Sequence, residues 1–87
     1  MYIHIGNNTL LKTNEIIGIF DLDNTTVSVR TRNFLSKAEK RGDIILAAAD
    51  LPKSFVVASR KRGDTRVFLS QLAPSTLSRR SGYIETL

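Results

Sequence analysis

Ser54-Phe55-Val56-Val57-Ala58-Ser59, then Arg60-Lys61-Arg62-Gly63-Asp64-Thr65-Arg66, then Val67-Phe68-Leu69-Ser70-Gln71-Leu72 carry the architecture of this chain. The outer two runs are rich in β-branched and aromatic residues and too short for helices, so each reads as a strand. The segment between them holds a Gly-Asp pair and four basic side chains, which makes the unit a β-hairpin with a basic tip. On its N-terminal side, Ile44 to Ala47 reads as a further strand and Ala49-Asp50-Leu51-Pro52 as a turn. From Val27 to Arg41 the period changes to a helical one, with Val27, Thr31, Phe34, Leu35 and Ala38 on one face and Gly42 placed as the C-cap. Ile16-Ile17-Gly18-Ile19-Phe20-Asp21-Leu22 is apolar on both faces, the pattern of a central strand. Tyr2-Ile3-His4-Ile5 and Thr9-Leu10-Leu11 flank Gly6-Asn7-Asn8 as a short hairpin. Beyond the basic hairpin, Pro74 opens a short helix running to about Arg80. The expected fold is α+β: a small, mostly antiparallel sheet with one main helix and a short C-terminal helix, one domain over residues 1–80 and a tail at 81–87.

At 87 residues the domain is small. Such a domain buries only about 60–65% of the surface its unfolded chain exposes. The sequence has no cysteine and one histidine, His4, so neither disulfides nor thiolate metal sites reinforce it. Self-association is the remaining route to a larger core. The longest apolar run, Ile44 to Ala49, is too short for a bilayer or a signal peptide, and the chain reads as soluble and cytoplasmic, without a membrane role.

The formal charge is +5 and unevenly placed. Residues 1–26 are net −2, residues 27–66 are net +6 and residues 67–87 are net +1. A basic middle favours a polyanionic partner. The expected contact residues are Arg30, Arg32 and Lys37 on the main helix, Lys53 before a strand, and Arg60, Lys61, Arg62 and Arg66 on the hairpin, with Lys40 and Arg41 completing the helix. Phosphates suit such groups because each contact releases condensed counterions and arginine can donate two hydrogen bonds at once. Single-stranded RNA modules stack bases on exposed aromatics, whereas Phe20, Phe34, Phe55 and Phe68 all lie in apolar patterns and read as core. Duplex DNA held by its backbone is the better match.

One stretch imitates an enzyme. An apolar strand ending in Asp21-Leu22-Asp23-Asn24-Thr25 resembles the first motif of haloacid-dehalogenase-type phosphotransferases, in which the first aspartate is the nucleophile, the second an acid/base, and magnesium sits between them. That chemistry needs a large doubly wound sheet and a later acid pair, which this length and its isolated Asp43, Asp50 and Asp64 do not supply. The expectation is a protein that is not an enzyme and has no cofactor, catalytic residue, metal site or small-molecule substrate. Arg-Gly-Asp occurs at Arg41–Asp43 and Arg62–Asp64, both at expected glycine turns.

The segments in their order resemble the RemA/RemB family of extracellular-matrix regulatory proteins from Gram-positive bacteria, the RemB branch most closely, over about residues 2–80. The resemblance rests on Tyr2-Ile3-His4-Ile5-Gly6, Ile16-Ile17-Gly18-Ile19-Phe20-Asp21, Asn33-Phe34-Leu35, Pro52-Lys53-Ser54-Phe55-Val56-Val57 and the closing pattern Ser70-x-Leu72-x-x-x-Thr76-Leu77-x-x-Arg80. It implies a DNA-binding transcription regulator of matrix and biofilm genes, assembled as a ring-like homo-oligomer that displays repeated basic surfaces. This sequence departs from RemA proteins at Glu15, where they carry an arginine, and at Leu51-Pro52, where they carry an arginine pair. Those departures favour, as a second reading, an assembly or adaptor module that acts through protein partners.

Overall fold

The computed structural model describes residues 2–22, 28–59 and 64–81. Strand β1 (Tyr2–Gly6) pairs antiparallel with β2 (Thr9–Lys12) across Asn7 and Asn8, both at positive φ. Asparagine tolerates that conformation better than other side chains, which is why Asn-Asn turns the expected hairpin here. A short 3-10 turn, Thr13–Glu15, leads into β3 (Ile16–Asp21). Helix α1 (Val29–Arg41) follows, then β4 (Ile44–Ala47), β5 (Ser54–Ser59), β6 (Thr65–Ser70) and helix α2 (Pro74–Ser81).

The last four strands form one sheet in the order β3-β5-β6-β4. β5 and β6 are its antiparallel centre, paired from Ser54–Ser70 out to Ser59–Thr65, as the hairpin reading expects. β3 adds antiparallel to β5, and β4 adds parallel to β6, the one parallel pairing among the described strands. Two expectations are corrected here. β3 is an edge strand and not a central one, because the β5–β6 hairpin occupies the centre; Ile17 is 64% exposed there. Of the four phenylalanines read as core, only Phe55 and Phe68 are buried, while Phe20 and Phe34 are 38% and 37% exposed. An apolar pattern identifies a face that can be covered, but not what covers it.

The two faces of the sheet are closed differently. On one, the β1–β2 hairpin and α2 lie over β5, β6 and β4, burying Ile3, Ile5, Leu11, Val56, Phe68 and Leu77. Two fully buried serines lock this side. Ser70 Oγ donates to the Ile5 carbonyl at 2.6 Å and accepts from the Leu72 amide at 3.1 Å; its cross-strand partner Ser54 donates to the Leu72 carbonyl at 2.8 Å. Gly6, at φ +123°, is pressed so close that a Cβ would stand 2.6 Å from the Ala47 carbonyl oxygen. On the other face, α1 covers Phe55, Val57 and Val67 with Ala38 and Leu35.

Candidate nucleic-acid interface

Helix α1 begins after Ser28, which has extended backbone and receives the Arg32 amide at its carbonyl, and ends at Gly42 in the left-handed conformation. The Gly42 amide donates to the last-turn carbonyls, and the basic residues Lys40 and Arg41 sit at the negative end of the dipole. With Ala38 buried and Leu35 half-buried against the sheet, the helical period puts Asn33 and Lys40 on the opposite side and Arg30 and Lys37 along one flank, so that Arg30, Lys37 and Lys40 form an exposed basic ridge. At 1.5 Å per residue this ridge is about 15 Å long. Arg30, Arg32, Lys37 and Lys40 have no ion-pair partner among the described residues. A row of solvated, uncompensated cations is a favourable place for phosphates, since nothing internal must be given up when they bind.

The expected contact residues do not gather in one place. Arg30 and Lys37 share the ridge, whereas Arg32 lies on the other flank of α1, beside Glu39 and Leu22. Lys53 is exposed at the start of β5, where its carbonyl accepts from the Leu22 amide, so it stands at the end of the sheet opposite the hairpin tip. Six residues of strand put those ends about 20 Å apart. Arg66 is paired across the strands with Ala58, on the face covered by the β1–β2 hairpin, so the sheet separates it from α1. It lines a cavity of about 220 Å³ with Glu15 and Asp64, and its Nε donates to Asp64 at 3.4 Å. Arg60, Lys61 and Arg62 lie outside the described residues, as do Asp23, Val27 and the tail from Gly82. Arg41 donates to Asp43 at 2.9 Å across the Gly42 cap, so the first Arg-Gly-Asp is a helix terminus closed on itself. In both pairs the arginine is exposed and the aspartate partly so, and solvent screening leaves the arginines only weakly held.

Two features lay beyond the sequence reading. Arg80, on the last turn of α2, donates from Nη1 to the His4 carbonyl at 2.9 Å and ties the C-terminal helix to β1. An apolar groove of about 330 Å³ between β3 and α1 is walled by Ile17, Phe20, Phe34 and Phe55, with Arg30 in its lining. Asp21 closes β3 opposite Ser54, and among the described residues no group of three or more His, Cys, Asp or Glu side chains could hold a metal. No helix among them is long and apolar enough to cross a membrane.

Residues 2–80 match the family model described as RemA-like, extracellular matrix regulatory protein A-like, and the chain belongs to that family. It is also similar to extracellular matrix regulatory protein B of Bacillus subtilis (strain 168), with 31% identity over 84 residues, covering 97% of this chain and 94% of the relative.

Proposed function

We propose that this protein is a transcription regulator of extracellular-matrix genes that grips duplex DNA by its backbone, working as a homo-oligomer that repeats the α1 ridge around its assembly. The observation that carries the reading is the ridge itself: Arg30, Lys37 and Lys40 exposed on one side of α1 with no ion-pair partner among the described residues. The name of the Bacillus relative supports the matrix-regulatory part. One ridge offers few phosphate contacts, so a single chain binds weakly. Copies held together convert weak contacts into one strong attachment through effective concentration. Where RemA proteins carry arginines, Glu15 lines the cavity beside Arg66, and Leu51-Pro52 lies in the irregular segment before β5, so the α1 ridge takes over the phosphate contacts in this reading.

An electrophoretic shift of a labelled duplex tests it. Wild type shifts the duplex at low salt, and Lys37→Ala/Lys40→Ala shifts it only at several-fold higher protein concentration. No wild-type shift at low salt would remove DNA from the account and favour a protein partner.

A further inference from the structure

The sheet face under the β1–β2 hairpin is sealed along most of its length, but not where β5 runs out and β6 begins. The cross-strand row at that end is Ile16, Ala58, Arg66, with the small Ala58 in its middle. The next row inward carries Ile19, Val56, Phe68 and Ile45. A methyl group between larger side chains leaves a hollow, which Leu11 of β2 and Glu15 of the turn before β3 wall without filling. This hollow is the cavity of about 220 Å³ beside Arg66.

Its floor is apolar and its rim is charged. Leu11, Ala58 and Phe68 are buried and Ile45 half-buried, and none of them offers a polar side-chain atom. Glu15, next to Ile16, stands on the β3 side. Arg66 stands on the β6 side, two strand spacings or about 10 Å across the sheet. Among the described residues Asp64 is the partner of Arg66 and takes only its Nε, at 3.4 Å, which leaves the two terminal nitrogens of the fork for a carboxylate. Glu15, as a carboxylate, has about four acceptor positions and serves an ammonium group alongside any protein donor it holds. The rim therefore offers a cation on one side and an anion on the other, and its excess of carboxylates requires that a ligand bring positive charge.

Size narrows the class. A cavity of about 150 Å³ lined by apolar side chains holds benzene, and at that ratio the hollow holds about nine non-hydrogen atoms. Water alone would satisfy the rim and leave the floor without a match, whereas a small zwitterion with an apolar branch answers both. We propose that this hollow binds a free α-amino acid with a branched aliphatic side chain, its carboxylate on the Arg66 fork, its ammonium on Glu15 and its side chain over Ala58, Leu11 and Phe68. The site lies on the sheet face away from α1, so it is independent of the basic ridge and of the DNA reading.

Scanning calorimetry of the whole chain with L-leucine as the probe tests the site. The melting midpoint is expected to rise saturably, by about 6–11 °C at ten times Kd. Glycine, which lacks the side chain, leucinamide, which lacks the carboxylate, and 4-methylpentanoate, which lacks the ammonium, each bind about ten-fold more weakly or worse. Ala58→Leu fills the hollow, keeps the circular dichroism of the wild type and loses the response to leucine. Should that variant not fold, Arg66→Gln and Glu15→Gln on the rim replace it, each with affinity for leucine lower by about ten-fold or more. Lys37→Ala/Lys40→Ala responds as wild type does. No response of wild type to leucine, an equal response to glycine or 4-methylpentanoate, a response that the filled or rim variants keep, or one that the ridge variant loses would overturn the proposal.

Discussion

The two faces of the sheet are built to different standards of closure. Under the β1–β2 hairpin and α2, Ile5, Val56 and Leu77 are sealed, both buried serines have partners, and Arg80 ties the last helix to the first strand. Under α1 the core is smaller, and its apolar row runs out to exposed residues at both edges. The first face holds the fold of one chain together. The second combines a modest core with surfaces suited to partners: a basic ridge outward and apolar edges sideways.

The comparison is sharpened first by paired truncations. Leu77→Ala opens a cavity in the sealed face and is expected to lower unfolding stability by about 3 kcal/mol, whereas Phe34→Ala, on the open face, loses about 1 kcal/mol. Urea denaturation followed by circular dichroism measures both, and equal losses would break the distinction. Next in size is Gly6→Ala, which combines a strained φ with a clash against the Ala47 carbonyl and is expected to lose about 2 kcal/mol in the same assay. Ser70→Ala strands the Leu72 amide and the Ile5 carbonyl and is expected to lose about 1.5 kcal/mol, seen as a lower urea midpoint with unchanged slope. Smallest of all, Lys37→Ala/Lys40→Ala is expected to change stability by less than about 0.5 kcal/mol, which separates the binding role proposed for the ridge from the fold.

Much of this fold was legible in the sequence. The β5–β6 hairpin, the Asn7-Asn8 turn, the Gly42 cap and the Pro74 helix each follow from local chemistry that works whatever surrounds it. The neighbours of β3 were not legible, since an apolar run such as Ile16 to Phe20 is compatible with a central strand or an edge facing a partner. The parallel placement of β4 was hidden for a related reason: strand order is decided by long-range packing. Of the candidate site, the helical period in the sequence groups Arg30, Lys37 and Arg41 along one edge of the apolar stripe, whereas the structure turns Arg41 onto Asp43 and leaves Lys40 beside Lys37 on the exposed surface. The sequence could not show that Lys53 and Arg66 fall on distant or opposite parts of the sheet, which only the topology decides.

The central claim is that the α1 ridge meets DNA phosphates, and salt dependence tests it most directly. Fluorescence anisotropy of a labelled duplex, titrated with wild type and with Lys37→Ala/Lys40→Ala between about 50 and 200 mM salt, gives the slope of log affinity against log salt for each. The account predicts a steep linear fall for wild type and a slope shallower by about 0.9 for each lysine removed per bound copy. Identical slopes for the two proteins, or no binding by wild type at the lowest salt, would contradict it.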